Sequence, residues 1–296
     1  MKFLNMFKYQ VRQLLFRPRW LLMLPVFGFI AYLLTNALTV ENYPFIVSTA
    51  PAFGVAAPDA PYFNAWDALF IAFGNAEYMT FAIVNLFLLL VIDSLPESDF
   101  GQLAMIRLGS RKQWWLAKTL SLLAAAIFYV FSAMLIVLLF GSIRLGFDWN
   151  WSLYADYGAN ILVPNLNQMT WHPPIALALV AFGLCTLGFW GLGMLMQVVT
   201  LISRKGLLGY LIAMLFMIGG LGASSALINV PTWQRLIPPI RNLILTHWPF
   251  PFRQVPIWWS FLYWIIWLTI LFLSGLRLSQ KTDLLSSHQL KEETLL

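Results

Sequence analysis

The stretch LAKTLSLLAAAIFYVFSAMLIVLLF, Leu116–Phe140, decides how the chain is built. Lys118 is its one charged residue, at the very start. A helix of this length rises about 37 Å, more than the roughly 30 Å hydrocarbon core of a bilayer. Uninterrupted apolar character over that distance predicts a membrane-spanning helix. Across all 296 residues the same bias holds: 60% are hydrophobic and only 10% charged. Soluble domains carry about 25% charged residues, so the chain is expected to sit in a bilayer.

Working outward, five further apolar segments are expected to cross: Trp20–Val40, Ala72–Ile92, Ile175–Ile202, Leu207–Ile228 and Ile257–Leu276. Asn75, Glu77 and Asn85 interrupt the second of these. The fourth is long enough to tilt. The expected fold is an all-α integral membrane protein with six transmembrane helices in residues 20–276, preceded by an amphipathic segment (1–19) and followed by a tail (277–296). Lys and Arg fix its expected orientation. Lys2, Lys8, Arg12, Arg17, Arg19, Arg107, Arg111, Lys112, Lys118, Arg204, Lys205, Arg277, Lys281 and Lys291 fall on one side; Arg144, Arg235, Arg241 and Arg253 fall on the other. The richer side is read as cytoplasmic, with both termini there. The net charge of +6 follows from this bias and does not imply nucleic-acid binding. A cleavable signal peptide at the first span would leave the wrong parity for the tail.

Residues Lys2–Arg17 read as an amphipathic helix. Phe3, Leu4, Phe7, Val11, Leu14 and Leu15 share one side, while Lys2, Asn5, Lys8, Arg12 and Gln13 share the other. Such a helix suits the membrane interface and contact with lipid, and Pro18 provides a bend before Trp20.

The loop before Leu116 is unusually charged. Asp93, Glu97 and Asp99 come first, then Arg107, Arg111, Lys112 and Lys118. Ser94 with Glu97, and Ser110 with Gln113, each have capping-box spacing, and Gly109 is placed to end a helix between them. Acids near a helix start and a base near its end suit the helix dipole. The reading is a short helix over Glu97–Gly109, a sharp turn, and a second helix passing through Trp114 and Trp115 at the interface into the third span. Phe100, Leu103, Met105 and Ile106 give the first helix an apolar face for the membrane surface or another protein.

A basic amphipathic N-terminal helix, six spans and the GSRKQWW loop (Gly109–Trp115) resemble the type-2 permease subunits of bacterial ABC exporters. The resemblance is one of architecture over nearly the whole chain. It implies an elbow helix at the N-terminus and a coupling helix at Glu97–Gly109 that docks on a separate ATPase subunit. Glu97, Phe100, Leu103, Met105, Arg107 and Arg111 would make that contact, with Arg204 and Lys205 as a second, smaller one. It further implies a second permease chain, identical or paralogous, and antimicrobial peptides, drugs or other amphipathic compounds as substrates. Short helices dipping into the outer leaflet are implied within Val230–Pro256, where six prolines forbid one continuous helix and Leu243–Leu245 would dip.

No G-x-x-x-x-G-K-[ST] loop occurs, so ATP hydrolysis is expected in a partner and not in this chain. No cofactor or metal is expected. Glu77, about 24 Å of helix before Asp93, is either an interfacial carboxylate or a pathway acid. Asn85 and Gln197 either bond another helix or line a path. Gly219 with Ala223, and Gly220 with Ser224, have the spacing that lets helices approach closely. Cys185, the lone cysteine, reads as a buried hydrophobe. Competing readings are a non-transporting membrane anchor or assembly factor, a secondary transporter, and an intramembrane enzyme. His172, His247 and His288 are scattered with no Glu partner, which argues against a metalloprotease.

Overall fold

The computed structural model describes residues 2–42, 63–95, 110–152, 155, 172–226, 237–244 and 257–281. These residues are helical wherever they are regular, with no strand among them. Helix α1 is Lys2–Leu15 and α2 is Met23–Asn36, with a 3-10 turn at Pro18–Leu22 between them. Then come α3 (Ala65–Gly74), α4 (Asn85–Val91), α5 (Arg111–Leu145), α6 (Pro174–Ser203), α7 (Gly206–Ala226), α8 (Pro239–Leu243) and α9 (Ile257–Lys281). Five helical stretches are long and apolar enough to cross a membrane, and a bent pair makes a sixth if counted as one span. The chain is a multi-pass membrane protein.

Side-chain bonds fix the direction of each crossing. Arg19 meets Asp93, and Arg111 donates to the Gln280 carbonyl, so the starts of the first and third spans share one end with the ends of the second and sixth. We call this end the base. At the opposite end, the rim, Arg144 reaches Thr35 and lies over the Tyr32 ring. The crossings therefore alternate in direction, and α1 and the end of α9 both lie at the base.

The second span departs from expectation. It is not one helix over Ala72–Ile92: Ala65–Gly74 and Tyr78–Ser94 meet at 92°. The cause is local. Asn75 takes an extended conformation, and its side-chain oxygen accepts from the Glu77 and Tyr78 amides at 2.9 and 3.1 Å, capping a fresh helix. The turn that follows, Tyr78–Val84, is π-helical. All ten residues of α3 are buried. Its start carries a capping box: Asn64 accepts from the backbone of the first turn, and Asp67 accepts from the Asn64 amide at 2.7 Å. The buried Asp67 carboxylate also accepts from Ser152 at 2.9 Å, and the Trp66 indole donates to the Asp148 carbonyl. These bonds pin the segment after the third span over α3.

Trp114 and Trp115 are fully buried within the protein. The Trp115 indole donates to the Phe272 carbonyl, and its ring occupies the space a side chain at Gly275 would need. Leu243 lies inside the bundle, where α8 is entirely buried. Gly188, at the middle of α6, leaves room for it. That fit, and the bond from the Trp264 indole to the Asn242 carbonyl at 2.7 Å, hold α8 against α6 and α9, while Leu245 lies outside the described residues.

Glycines set close crossings, Gly220 of the expected pairs among them. A Cβ on Gly209 would meet the Met196 carbonyl oxygen and Thr200 Oγ1, where α7 crosses α6. Gly220 packs on Pro239, whereas Gly219 and Gly222 have open space around them. Gly→Ala in a helix ordinarily adds about 1 kcal/mol of propensity. Gly222→Ala is therefore expected to hold or raise the thermal unfolding midpoint in detergent. Gly209→Ala is expected to lower it, since overpacking costs about 1–3 kcal/mol; an equal response of the two variants would contradict the crossing described.

Candidate functional site

Polar side chains inside a membrane protein are costly and concentrate where they act. Here they gather at the base, around the last described residues before the charged loop. Asp93 and Ser94 close the second span in a 3-10 turn, Ile92–Ser94. One oxygen of Asp93 accepts from Arg17 Nη1 at 2.9 Å and from Arg19 Nη1 at 2.5 Å. Arg17 also donates through Nε to the Gln13 carbonyl, which ties its guanidinium to the end of α1. Ser94 Oγ accepts from Gln197 Nε2 on α6 at 3.2 Å, in a buried contact. Gly206, first residue of α7, lies so close to the Leu95 and Ile92 carbonyls that a Cβ would sit 3.0 and 3.1 Å from them. Three consecutive residues thus join the second span to α1, α6 and α7.

A small polar cleft lies behind this joint, lined by Gln10, Gln13, Arg17, Asp93, Ser94, Lys118 and Ser121. Gln10 is buried in the stripe Met6–Gln10–Leu14 that packs on α5, and Ser121 Oγ donates to its side-chain oxygen at 3.4 Å. Of the expected apolar side, Leu14 is buried and Leu4 is 53% exposed, and the bundle covers Met6 and Gln10 as well.

The expected site residues separate into groups. Glu97, Phe100, Leu103, Met105 and Arg107 lie outside the described residues, as does the helix expected at Glu97–Gly109. Arg111 begins α5 and donates to the Gln280 carbonyl at 2.8 Å. Ser110 caps that helix, its Oγ accepting from the Gln113 amide at 3.4 Å. Arg204 ends α6 in the left-handed region, φ 57°, and makes the tight turn to Lys205 and Gly206. That turn therefore lies beside Leu95, the last described residue before the expected coupling segment. Glu77 is exposed at the bend of the second span. Asn85 accepts from the Tyr210 hydroxyl at 2.7 Å and bonds α7 to the second span. Gln197 Oε1 is buried with no partner among the described residues.

Sequence reasoning missed Gln10, Ser121 and the Ser94–Gln197 pair. A glutamine in the i, i+4, i+8 stripe Met6–Gln10–Leu14 was the available signal for the first. The N-A-W-D spacing of Asn64–Asp67 was a capping signal at the rim. Among the described residues no three His, Cys, Asp or Glu side chains gather to hold a metal. The chain matches no family model, no curated protein and no solved structure.

Two outcomes follow for the joint. Asp93 is 59% exposed, so Asp93→Asn is expected to change global stability by no more than about 1 kcal/mol. It should nevertheless speed hydrogen exchange across α1 while leaving α6 unchanged. Asn85→Leu removes the Tyr210 bond and is expected to cost about 0.6 kcal/mol, read from unfolding in mixed micelles.

Proposed function

We propose that the chain is the membrane-spanning permease subunit of an ATP-driven ABC exporter, coupled to a separate ATPase subunit and paired with a second permease chain. The base is the cytoplasmic side in this reading, because Lys and Arg are retained there. The supporting observation is the joint at Asp93–Leu95. The chain enters residues 97–109 from a point bonded to the turn after α1 and to α6, and packed against the start of α7. A push on that loop would reach three elements at once as a rigid displacement, which coupling to a moving ATPase requires. Glu97, Phe100, Leu103, Met105 and Arg107 dock on the ATPase, with Arg111 and the Arg204–Lys205 turn flanking them. Asn85 and Gln197 serve as ties between helices, and Glu77 marks the outer end of the second span.

Amphipathic compounds are the proposed cargo class, on the resemblance in architecture. The bacterial plasma membrane is the proposed location on the same ground. The test is reconstitution in proteoliposomes with the ATPase that co-purifies with the chain. Substrate-stimulated ATP hydrolysis is expected with the intact chain and lost on deleting residues 97–109. Asp93→Asn should keep the ATPase bound but lower the stimulation. A complex that forms normally and hydrolyses ATP without any transport would favour a membrane anchor instead. Retention of full coupling by the deletion would end the exporter reading.

A further inference from the structure

Helix α1 spends its buried side on the protein, with Met6, Gln10 and Leu14 covered by the bundle. That side is no longer free to sink into a bilayer. The outward stripe is unusual for a face in water. Lys8, Arg12 and Phe16 follow at four-residue spacing and are exposed, Phe16 by 81%. Beyond the bend at Pro18, Leu21, Leu22 and Leu24 are also exposed, at the start of the first span. Exposed cations and large apolar side chains thus follow one another along residues 8–24 at the base.

Charge on this strip is not balanced by the described residues. Arg17 and Arg19 share the single carboxylate of Asp93, and Lys8 and Arg12 add to the same sign. Arg17 commits Nε and Nη1 to Gln13 and Asp93. Exposed cations such as Lys8 and Arg12 match phosphate oxygens, and the adjoining apolar side chains match an acyl chain.

We propose that the outward stripe of α1 binds an anionic glycerophospholipid. Lys8 and Arg12 hold its phosphate, and an acyl chain lies along Phe16, Leu21 and Leu22. A zwitterionic lipid brings its own ammonium into a cationic patch and is disfavoured. The binding is therefore selective by charge, unlike insertion of an amphipathic helix by its apolar side. The inference rests on the chain being a membrane protein and not on the transport reading, and its test needs no ATPase.

The test is native mass spectrometry of the full chain released from micelles containing equal phosphatidylglycerol and phosphatidylcholine. Phosphatidylglycerol is expected to be retained preferentially, with about a fivefold loss of that preference for each cation removed. Lys8→Gln with Arg12→Gln should nearly abolish the preference, and Arg12→Lys should keep it. Both side chains are exposed, so an unchanged unfolding midpoint checks that the double variant is folded. Glycerol phosphate, offered as the free anion, should not displace the lipid. Equal retention of the two lipids, indifference to the double variant, or displacement by glycerol phosphate would each overturn the proposal.

Discussion

A bilayer interior offers no water to a peptide group, so every backbone N–H and C=O buried there needs a partner within the protein. The architecture depends on that constraint. It makes the described elements helical, and it restricts where a helix can break. At several breaks a side chain takes over from the backbone. Asn64 and Asp67 satisfy the start of α3, Asn75 restarts the second span after its bend, and Asn242 holds α8 through Ser260 and Trp264. Asparagine suits this work because its short amide both donates and accepts close to the main chain. The 92° bend is a redirected ladder and not an open one.

Between helices, the grip comes from shape. Apolar side chains gain little by leaving lipid for protein, so close contact matters more than burial as such. Gly188, Gly191 and Gly193 on α6 admit Leu243, Trp264 and Leu122, and Gly209 lets α7 approach the α6 backbone. Large aromatics fill what the glycines vacate. Phe27, Phe87 and Phe189 surround Tyr129, whose hydroxyl donates to the Ile83 carbonyl at 2.6 Å. One collection of polar groups lies at the base. There Asp93, Ser94 and Leu95 connect four elements within a few ångströms, at the entrance to the charged loop.

The apolar runs made the spans legible, and their parity agrees with the alternating directions found in the structure. Ser110 was readable as a cap because its partner Gln113 is three residues away. The bend at Asn75 was half legible: polar residues flagged an interruption, but its angle depends on how α3 packs against α2 and α5. The apolar face of α1 was legible, but not which residues the protein covers: periodicity ranks Leu4 with that face, and the crossing with α5 covers Met6 and Gln10 beside Leu14.

By itself the sequence determined that this chain enters a membrane, how many apolar segments it can cross with, and which short-range caps start its helices. Those properties depend on composition and on spacings of a few residues. Tertiary structure alone decided that Asp93 would face Arg17 and Arg19, more than seventy positions away, and that Ser94 would meet Gln197, more than a hundred away. Such partners are chosen by helix rotation and crossing, which the packing of glycines against aromatics sets and no local pattern encodes.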